Sequence, residues 1–548
     1  MKKISTVLTA LLLSVPAQML LHASPEAAPK ITVVLIADQF AHFYIPKLQK
    51  YFKHGIKQLL EEGVVYNNVF HPHGTPETTT GHHALSTGCY AKDHGGVTNQ
   101  WLDRNGKKIR YEADSDHQAE LLPSPSSFIG KSSHNTPVDT ICDQFVTYTT
   151  IPTPTKAYVI GLKDYATIAT AGRLGKPFWF DEQRGIFVTS KKYFDHTPSW
   201  ITDFNKTLEK KYFNTPWRLC YDQDDACYDF PFIKNYDFAA YKESFINKTY
   251  KTAETGKSPY YFIMRAPWAN QMIFDLAQKC IEKKIHTTKN DRMLLWLSLN
   301  QLDLLTHLFG PDSLETTDTI YHLDKQIGNF IHYLHNRFGK ENCLIVFTAD
   351  HGVAPIPELQ KLKGYQNARR IMAQTLIDDS NNHLQKMFGN NTYVKAFEPN
   401  SFILDDTTFQ NIAPEKARKI KHELCSFLRS YPGIKNAWTY EELQQKNTRR
   451  DYPTKFHKMQ CYKGRIGDII CLTHPHCQIT AYPTGTSHCT PYDYDTHVPL
   501  IFHHPQTLRH QIIDQRVLTP QIPVTLAHLL HINPSAGTPF STLPGLNK

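Results

Sequence analysis

The residues best placed to do chemistry in this 548-residue sequence are carboxylates and imidazoles that follow or precede apolar runs. Asp38 comes just after the β-rich run 31–36, Ile-Thr-Val-Val-Leu-Ile. Asp303 and His307 lie four residues apart in Asp-Leu-Leu-Thr-His, downstream of the run 293–299. On a helix that spacing puts both side chains on one face, where they can share a metal ion. Asp350 and His351 stand side by side in Phe-Thr-Ala-Asp-His-Gly, at the end of the run 343–347. His488 closes Gly-Thr-Ser-His ahead of the run 498–502. Each place alone has a commonplace explanation: an Asp after a strand caps the next helix, and an i,i+4 Asp/His pair is a surface hydrogen bond. Four such places in one chain point instead to a metal centre. Its carboxylate and imidazole donors suit zinc and also admit manganese or iron.

A hydroxyl-rich tract supplies a candidate nucleophile. Thr75-Pro-Glu-Thr-Thr-Thr-Gly-His-His-Ala-Leu-Ser-Thr-Gly88 contains three consecutive threonines, Thr78, Thr79 and Thr80. The pattern predicts a helix starting near them, and a hydroxyl at a helix N-terminus meets a field that favours an anion. A threonine-rich helix cap without a catalytic role has the same composition, and residue types alone do not choose among the three.

The elements that must position these residues are buried parallel strands. The runs 31–36, 158–161, 293–299 and 343–347 are apolar without in/out alternation, as strands covered on both faces are. Helical patterns at 56–62, 318–336 and 414–430 lie between or beyond them, which predicts an α/β sandwich with ligands gathered past the strand ends. Two stretches interrupt the alternation and are expected to be insertions: an aromatic-rich, loop-rich cap at about 178–267 and a second segment at about 365–478.

Composition narrows the function. With 41% hydrophobic residues the chain can bury a large core, and its length suggests two to four domains. The net charge of +9 is spread without a dense Lys/Arg run, which argues against a nucleic-acid partner. Lys2 and Lys3, the apolar stretch 7–13 and the small residues after Pro16 have the layout of a secretory signal spanning 1–23, with cleavage after Ala17 or Ala23. The stretch is short for a membrane span and no other long apolar run follows, so residues 24–548 are expected to be a periplasmic or secreted domain without stable membrane insertion. Export makes disulfides conceivable among the 11 cysteines, with Cys220 and Cys227 the best-placed pair.

In their order along the chain, Asp38, the Thr-x-x-Gly-His segment, Asp303-x-x-x-His307, Ala-Asp350-His351-Gly and Gly-Thr-x-His488 resemble the alkaline phosphatase superfamily. They are most similar to its bacterial phosphate-irrepressible, threonine-nucleophile branch, and are also similar to the nucleotide pyrophosphatase/phosphodiesterases. Gly161-Leu-Lys-Asp164, Phe178-Trp-Phe-Asp181 and His307-Leu-Phe-Gly-Pro311 extend the resemblance over almost the whole mature chain. It implies an alkaline-phosphatase-like three-layer sandwich with a mostly parallel central sheet and inserted cap segments. It implies two zinc ions as cofactors: one held by Asp38, Asp350 and His351 and also touching Thr78, the other held by Asp303, His307 and His488. It makes Thr78 the nucleophile of a phosphomonoester hydrolase acting on small phosphorylated substrates through a phospho-threonine, with Asn99 and Lys163 on the phosphoryl oxygens. One position departs from the monoesterase pattern, which has Lys-Asp-Arg where this chain has Lys163-Asp164-Tyr165. An Arg grips two phosphoryl oxygens with a planar fork and a Tyr offers one hydroxyl, so a phosphodiesterase is the alternative. A sulfatase would need a Cys/Ser-x-Pro-x-Arg motif; Cys489-Thr-Pro-Tyr-Asp493 lacks the Arg.

Overall fold

The computed structural model describes residues 28–546 except 117–118, 124–129, 149–154, 232–233, 235, 249–256, 259, 287–290, 399 and 446–450. The expected signal segment therefore lies outside the described residues. The main strands are β1 (Ile31–Ala37), β2 (Val64–Phe70), β3 (Thr155–Gly161), β4 (Lys176–Asp181), β5 (Ile186–Ser190), β6 (Arg292–Leu299), β7 (Cys343–Thr348) and β8 (His497–His503). They form one sheet in the order Gln511–Ile513, β2, β8, β7, β1, β6, β3, β4, β5, Leu121–Leu122, with Val517–Leu518 also beside β2. The five neighbours from β7 to β4 are parallel. β8 runs antiparallel between β7 and β2, and β5 antiparallel to β4. Every residue of β1, β6 and β7 is buried, the expected consequence of helices on both faces.

Four helices matter for the site: α1 (Thr78–Thr87), α2 (Asp164–Ala171), α3 (Gln301–Phe309) and α4 (Leu314–Phe338). α1 and α2 pack with Ile141–Thr147 and Gln521–Leu530 in one layer. α3 and α4 pack in the other with Gly55–Glu62 and Trp268–Lys284, which also holds Ser199–Leu208. Together with the sheet they make the expected α/β sandwich. The register of the strands carries the functional consequence. Ile36 pairs with both Ser298 and Thr348, and Ser298 with Gly161, so β1, β6, β7 and β3 all end at one level.

The stretch 178–267 begins inside the main sheet, in β4 and β5, and its Trp200, Trp217, Phe245 and Phe262 join the main core. The stretch 365–478 holds a separate four-stranded sheet in the order Val394–Glu398, Ser401–Leu404, Ile469–Thr473, Ile434–Thr439. That sheet is covered by Ala373–Phe388 and Pro414–Ser430 and has its own apolar cluster around Leu376, Phe402, Leu424 and Cys471. All 11 cysteines are unbridged, Cys220 and Cys227 included. Among the described residues no helix is long and apolar enough to cross a membrane.

Candidate metal centre

The common level at which the strands end is where the chemistry-bearing residues meet. Asp38 follows β1, Asp350 and His351 follow β7, and Lys163 lies just past β3. Asp303 and His307 occupy successive turns of α3, which follows β6 after Asn300. His488 enters from a distant loop whose Thr486 N–H donates to the His307 carbonyl oxygen at 3.0 Å. Two groups result, Asp38–Asp350–His351 and Asp303–His307–His488, each with ligand atoms within 4.8 Å of one another. The two groups touch through the His351 and His488 rings, which stack at 3.8 Å.

The donor chemistry of both groups fits divalent cations. Each histidine spends Nδ1 on a backbone carbonyl: His351 on Gly352 at 2.9 Å, His307 on Thr486 at 2.8 Å, His488 on Pro76 at 2.7 Å. That fixes the tautomer and turns the Nε2 lone pair inward, the usual support of a metal-ligating imidazole. Asp38 Oδ1 is a buried acceptor without a hydrogen-bond partner, and it and Asp350 Oδ2, which only the His82 ring approaches, at 3.1 Å, face His351 Nε2 at 3.4 and 3.5 Å. Unpartnered carboxylate oxygens in a buried site are expensive unless a cation compensates them.

Lys163 and Thr78 lie between the groups. Lys163 Nζ reaches Asp38 Oδ2 at 2.7 Å, Asp303 Oδ2 at 2.5 Å and Thr78 Oγ1 at 3.2 Å. Thr78 Oγ1 is also 3.4 Å from His351 Nε2. Its two neighbours point elsewhere: Thr80 donates to the Val97 carbonyl at 2.8 Å, and Thr79 Oγ1 has no partner. Thr78 is the first residue of α1, with its hydroxyl at the positive end of the helix. The close approach of α1 depends on Gly81, where a Cβ would sit 2.0 Å from the Asp350 carbonyl oxygen. Asn99 Oδ1 accepts the Thr79 N–H at 2.9 Å and its own N–H donates to Glu77 at 2.7 Å, which fixes it beside the start of α1.

Burial and mutual repulsion decide the charges. Burial and the neighbouring Asp303 and Asp350 push Asp38 well above the usual carboxylate range, with Lys163 opposing. Burial also works against ionised Asp303, but the Lys163 and His307 charges hold it well below that range. Burial lowers His488, helped by His351 and His307, and lowers His351 despite Asp350. Burial thus keeps His351 and His488 in the neutral form in which an imidazole ligates a metal, whereas Asp303 raises His307 against its burial.

Four residues that the spacing arguments did not single out complete the centre. Asn300 donates to Asp38 Oδ2 at 2.8 Å and to Ser298 Oγ at 2.8 Å, while its Oδ1 accepts the Leu162 N–H at 2.8 Å and the Lys163 N–H at 3.2 Å. His82 Nε2 meets Ser298 Oγ at 2.7 Å, and its Nδ1 lies 2.9 Å from the Thr78 carbonyl and 3.1 Å from Asp350 Oδ2. Asn300, Ser298 and His82 thus link Asp38, Lys163, Thr78 and Asp350 in one chain of contacts. Gln39, in the left-handed region at φ 68°, donates from its backbone to Asp350 and from its side chain to Asp303 Oδ1 at 2.7 Å. Asn300, Ser298 and Gln39 are marked in the sequence by position alone, at a strand end or beside a candidate ligand, whereas His82 is the histidine of the Thr-x-x-Gly-His segment.

The family described as type I phosphodiesterase / nucleotide pyrophosphatase matches residues 32–499. The chain is 27% identical over 491 residues to alkaline phosphatase PhoV of Synechococcus elongatus, covering 87% of this chain and 85% of that one. It is 26% identical over 486 residues to alkaline phosphatase PafA of Elizabethkingia meningoseptica, covering 86% of each. The crystal structure of a PafA mutant matches with a TM-score of 0.84 at 22% identity, over 94% of this chain and 98% of the other, a likeness of fold.

Proposed function

The chain belongs to the type I phosphodiesterase / nucleotide pyrophosphatase family, and within it we propose an exported, zinc-dependent phosphomonoester hydrolase that works through a phospho-threonine at Thr78. The observation that carries this reading is the position of Thr78 Oγ1, within hydrogen-bonding reach of Lys163 Nζ and against His351, where the two ligand groups meet. The alkaline phosphatase relatives PhoV and PafA support the monoesterase activity. The basic, then apolar N-terminus supports a periplasmic or secreted location.

Two zinc ions, held by Asp38, Asp350 and His351 and by Asp303, His307 and His488, would supply the charge that lowers the pKa of the Thr78 hydroxyl and stabilises the leaving oxygen. Thr78 Oγ attacks phosphorus in line, the bond to the leaving oxygen breaks, and that oxygen departs with the electron pair. A water then attacks the phosphorus of phospho-Thr78, releasing inorganic phosphate and restoring the hydroxyl. Lys163 and the Asn99 amide hold non-bridging oxygens in both steps. The ammonium, held by Asp38 and Asp303, opposes the charge of a phosphoryl dianion by exchanging its contact with the Thr78 hydroxyl for a phosphoryl oxygen.

Tyr165 favours the second reading, a phosphodiesterase. Its ring lies 5.8 Å from Lys163 Nζ, in the place where the monoesterase pattern has an Arg. A charged hydrogen bond contributes roughly 1.5–3 kcal/mol, so losing one of two narrows monoester preference about ten- to a hundredfold without abolishing it. Matched nitrophenyl mono- and diesters test this. The monoester should be hydrolysed faster, Lys163→Ala should depress it far more than the diester, and Tyr165→Arg should raise the monoester-to-diester ratio. A wild-type enzyme faster on the diester would establish the phosphodiesterase instead.

A further inference from the structure

Arg265, from the aromatic-rich stretch 178–267, has no role in the chemistry above, yet its surroundings are unusual. Its residue is 8% exposed, and among the described residues its guanidinium forms no ion pair, Glu182 and Asp303 acting on it only from a distance. Nη1 donates to the Tyr261 carbonyl at 2.6 Å, the guanidinium carbon lies 3.3 Å from the centre of the Tyr261 ring, and Nε has no partner. A buried cation is normally paired, and one held only by a carbonyl and a ring face is left with unspent donors. Lys163, equally buried, has two carboxylates. Arg292 shares the lack of an ion pair but opens β6, a full strand length from the site.

The position of Arg265 says what its donors are for. It ends the short turn Ile263–Arg265, which packs on α3, the helix of Asp303 and His307. Gln301 of α3 donates to the Arg265 carbonyl at 2.6 Å. Tyr241, whose ring is 6.0 Å from Phe262 and 6.3 Å from Phe309, belongs to a cap segment whose Ala240 N–H donates to Leu308, one residue past His307. The same segment receives the Gly485 N–H on Phe238, beside the His488 loop. The cap is therefore fastened to both elements of the second ligand group. Tyr261, Glu182, Tyr241 and, more weakly, Asp303 lie within electrostatic range of Arg265.

We propose that Arg265 forms an anion subsite on the leaving-group side of the centre, so that the preferred substrates are phosphomonoesters whose leaving group carries a second negative charge, such as a carboxylate or a further phosphate. The subsite rests on the phosphohydrolase reading and deepens it. It compensates the guanidinium absent at Tyr165 from a different element and for a different part of the substrate.

Phenyl phosphate and 4-carboxyphenyl phosphate test it, because they differ by one remote anion. Wild type should favour the carboxylated ester in kcat/KM. Arg265→Met should reduce that ratio about tenfold, the effect of one charged hydrogen bond, and Arg265→Lys should retain part of it. Comparing the ratio between enzymes cancels the difference in leaving-group acidity. The melting temperature of Arg265→Met should equal or exceed that of wild type, since an unpaired buried charge is removed. An unchanged ratio, or an equal loss on both esters, would overturn the subsite. In wild type, 4-hydroxybenzoate should inhibit more strongly than phenol; equal inhibition would overturn it without any variant. Failure of the underlying reading is separate: it would show as hydrolysis of both esters by Thr78→Ala.

Discussion

The two ligand groups are chemically alike and are built differently. Asp38, Asp350 and His351 are fully buried and stand at the ends of adjacent strands, so the hydrogen-bond register of β1 and β7 fixes their separation. Asp303, His307 and His488 come from a helix and a remote loop, and the His307 side chain is 32% exposed. One group is anchored by the sheet. The other is held by packing between α3, the 485–488 loop and the segment 238–241, contacts that open more readily than a buried ladder. The difference teaches which half of the centre should tolerate disturbance.

The largest effect is expected at the hydroxyl set against the sheet-anchored group. Thr78→Ala should lower kcat/KM by about a thousandfold or more while metal content stays at the wild-type level, since the six other ligands remain. Elemental analysis beside the kinetics checks both halves. A phosphopeptide trapped at low pH should carry its label on Thr78, and a label on Thr79 or Thr80 would move the nucleophile.

Metal removal bears directly on the contrast. Under graded chelation, the equivalent held by Asp303, His307 and His488 should leave first. His307→Ala should bind one equivalent fewer and keep the other, whereas Asp350→Ala should lose the sheet-anchored one. Simultaneous release of both in wild type would break the comparison.

A smaller effect is expected from the supports. Asn300→Ala removes the donor to Asp38 and the acceptor for Lys163, and should lower activity about 10- to 100-fold with the fold intact, as loss of a ligand's hydrogen-bond partner does elsewhere. Its monoester rate should fall more than its diester rate, because Lys163 loses its register.

The smallest effect concerns acid stability behind α1. Burial lowers His71 and His457 to about 4 and His83 to about 3. Their folded values lie below the unfolded value, so between pH 6.5 and about 4 the unfolded chain binds protons that the native one does not. Stability should be complete above pH 6.5 and fall below it, by about 1.4 kcal/mol per pH unit for each such histidine. Urea unfolding from pH 7 to 4.5 measures the slope, and His457→Leu should make it shallower.

Much of this molecule was legible in its residues. The runs at 31–36, 158–161, 293–299 and 343–347 announced the parallel core because only strands covered on both faces are apolar throughout. The Asp303/His307 spacing announced a shared helix face because the helical period is local. The order of the motifs pointed to a phosphohydrolase of this superfamily. Where a role depended on partners far along the chain, nothing local marked it. Asn300 reads as an ordinary residue after a strand until Asp38 and Lys163 are brought to it, and Cys220 and Cys227 look like a pair although both are unbridged. On the sequence side only the family order singles out Thr78 from Thr79 and Thr80; in the structure the Thr78 hydroxyl meets Lys163 while that of Thr80 meets the Val97 carbonyl. Local periodicity and residue type determined the elements. Their register, the approach permitted at Gly81 and the unpaired charge of Arg265 are tertiary, because they depend on distances between segments that no spacing along the chain encodes.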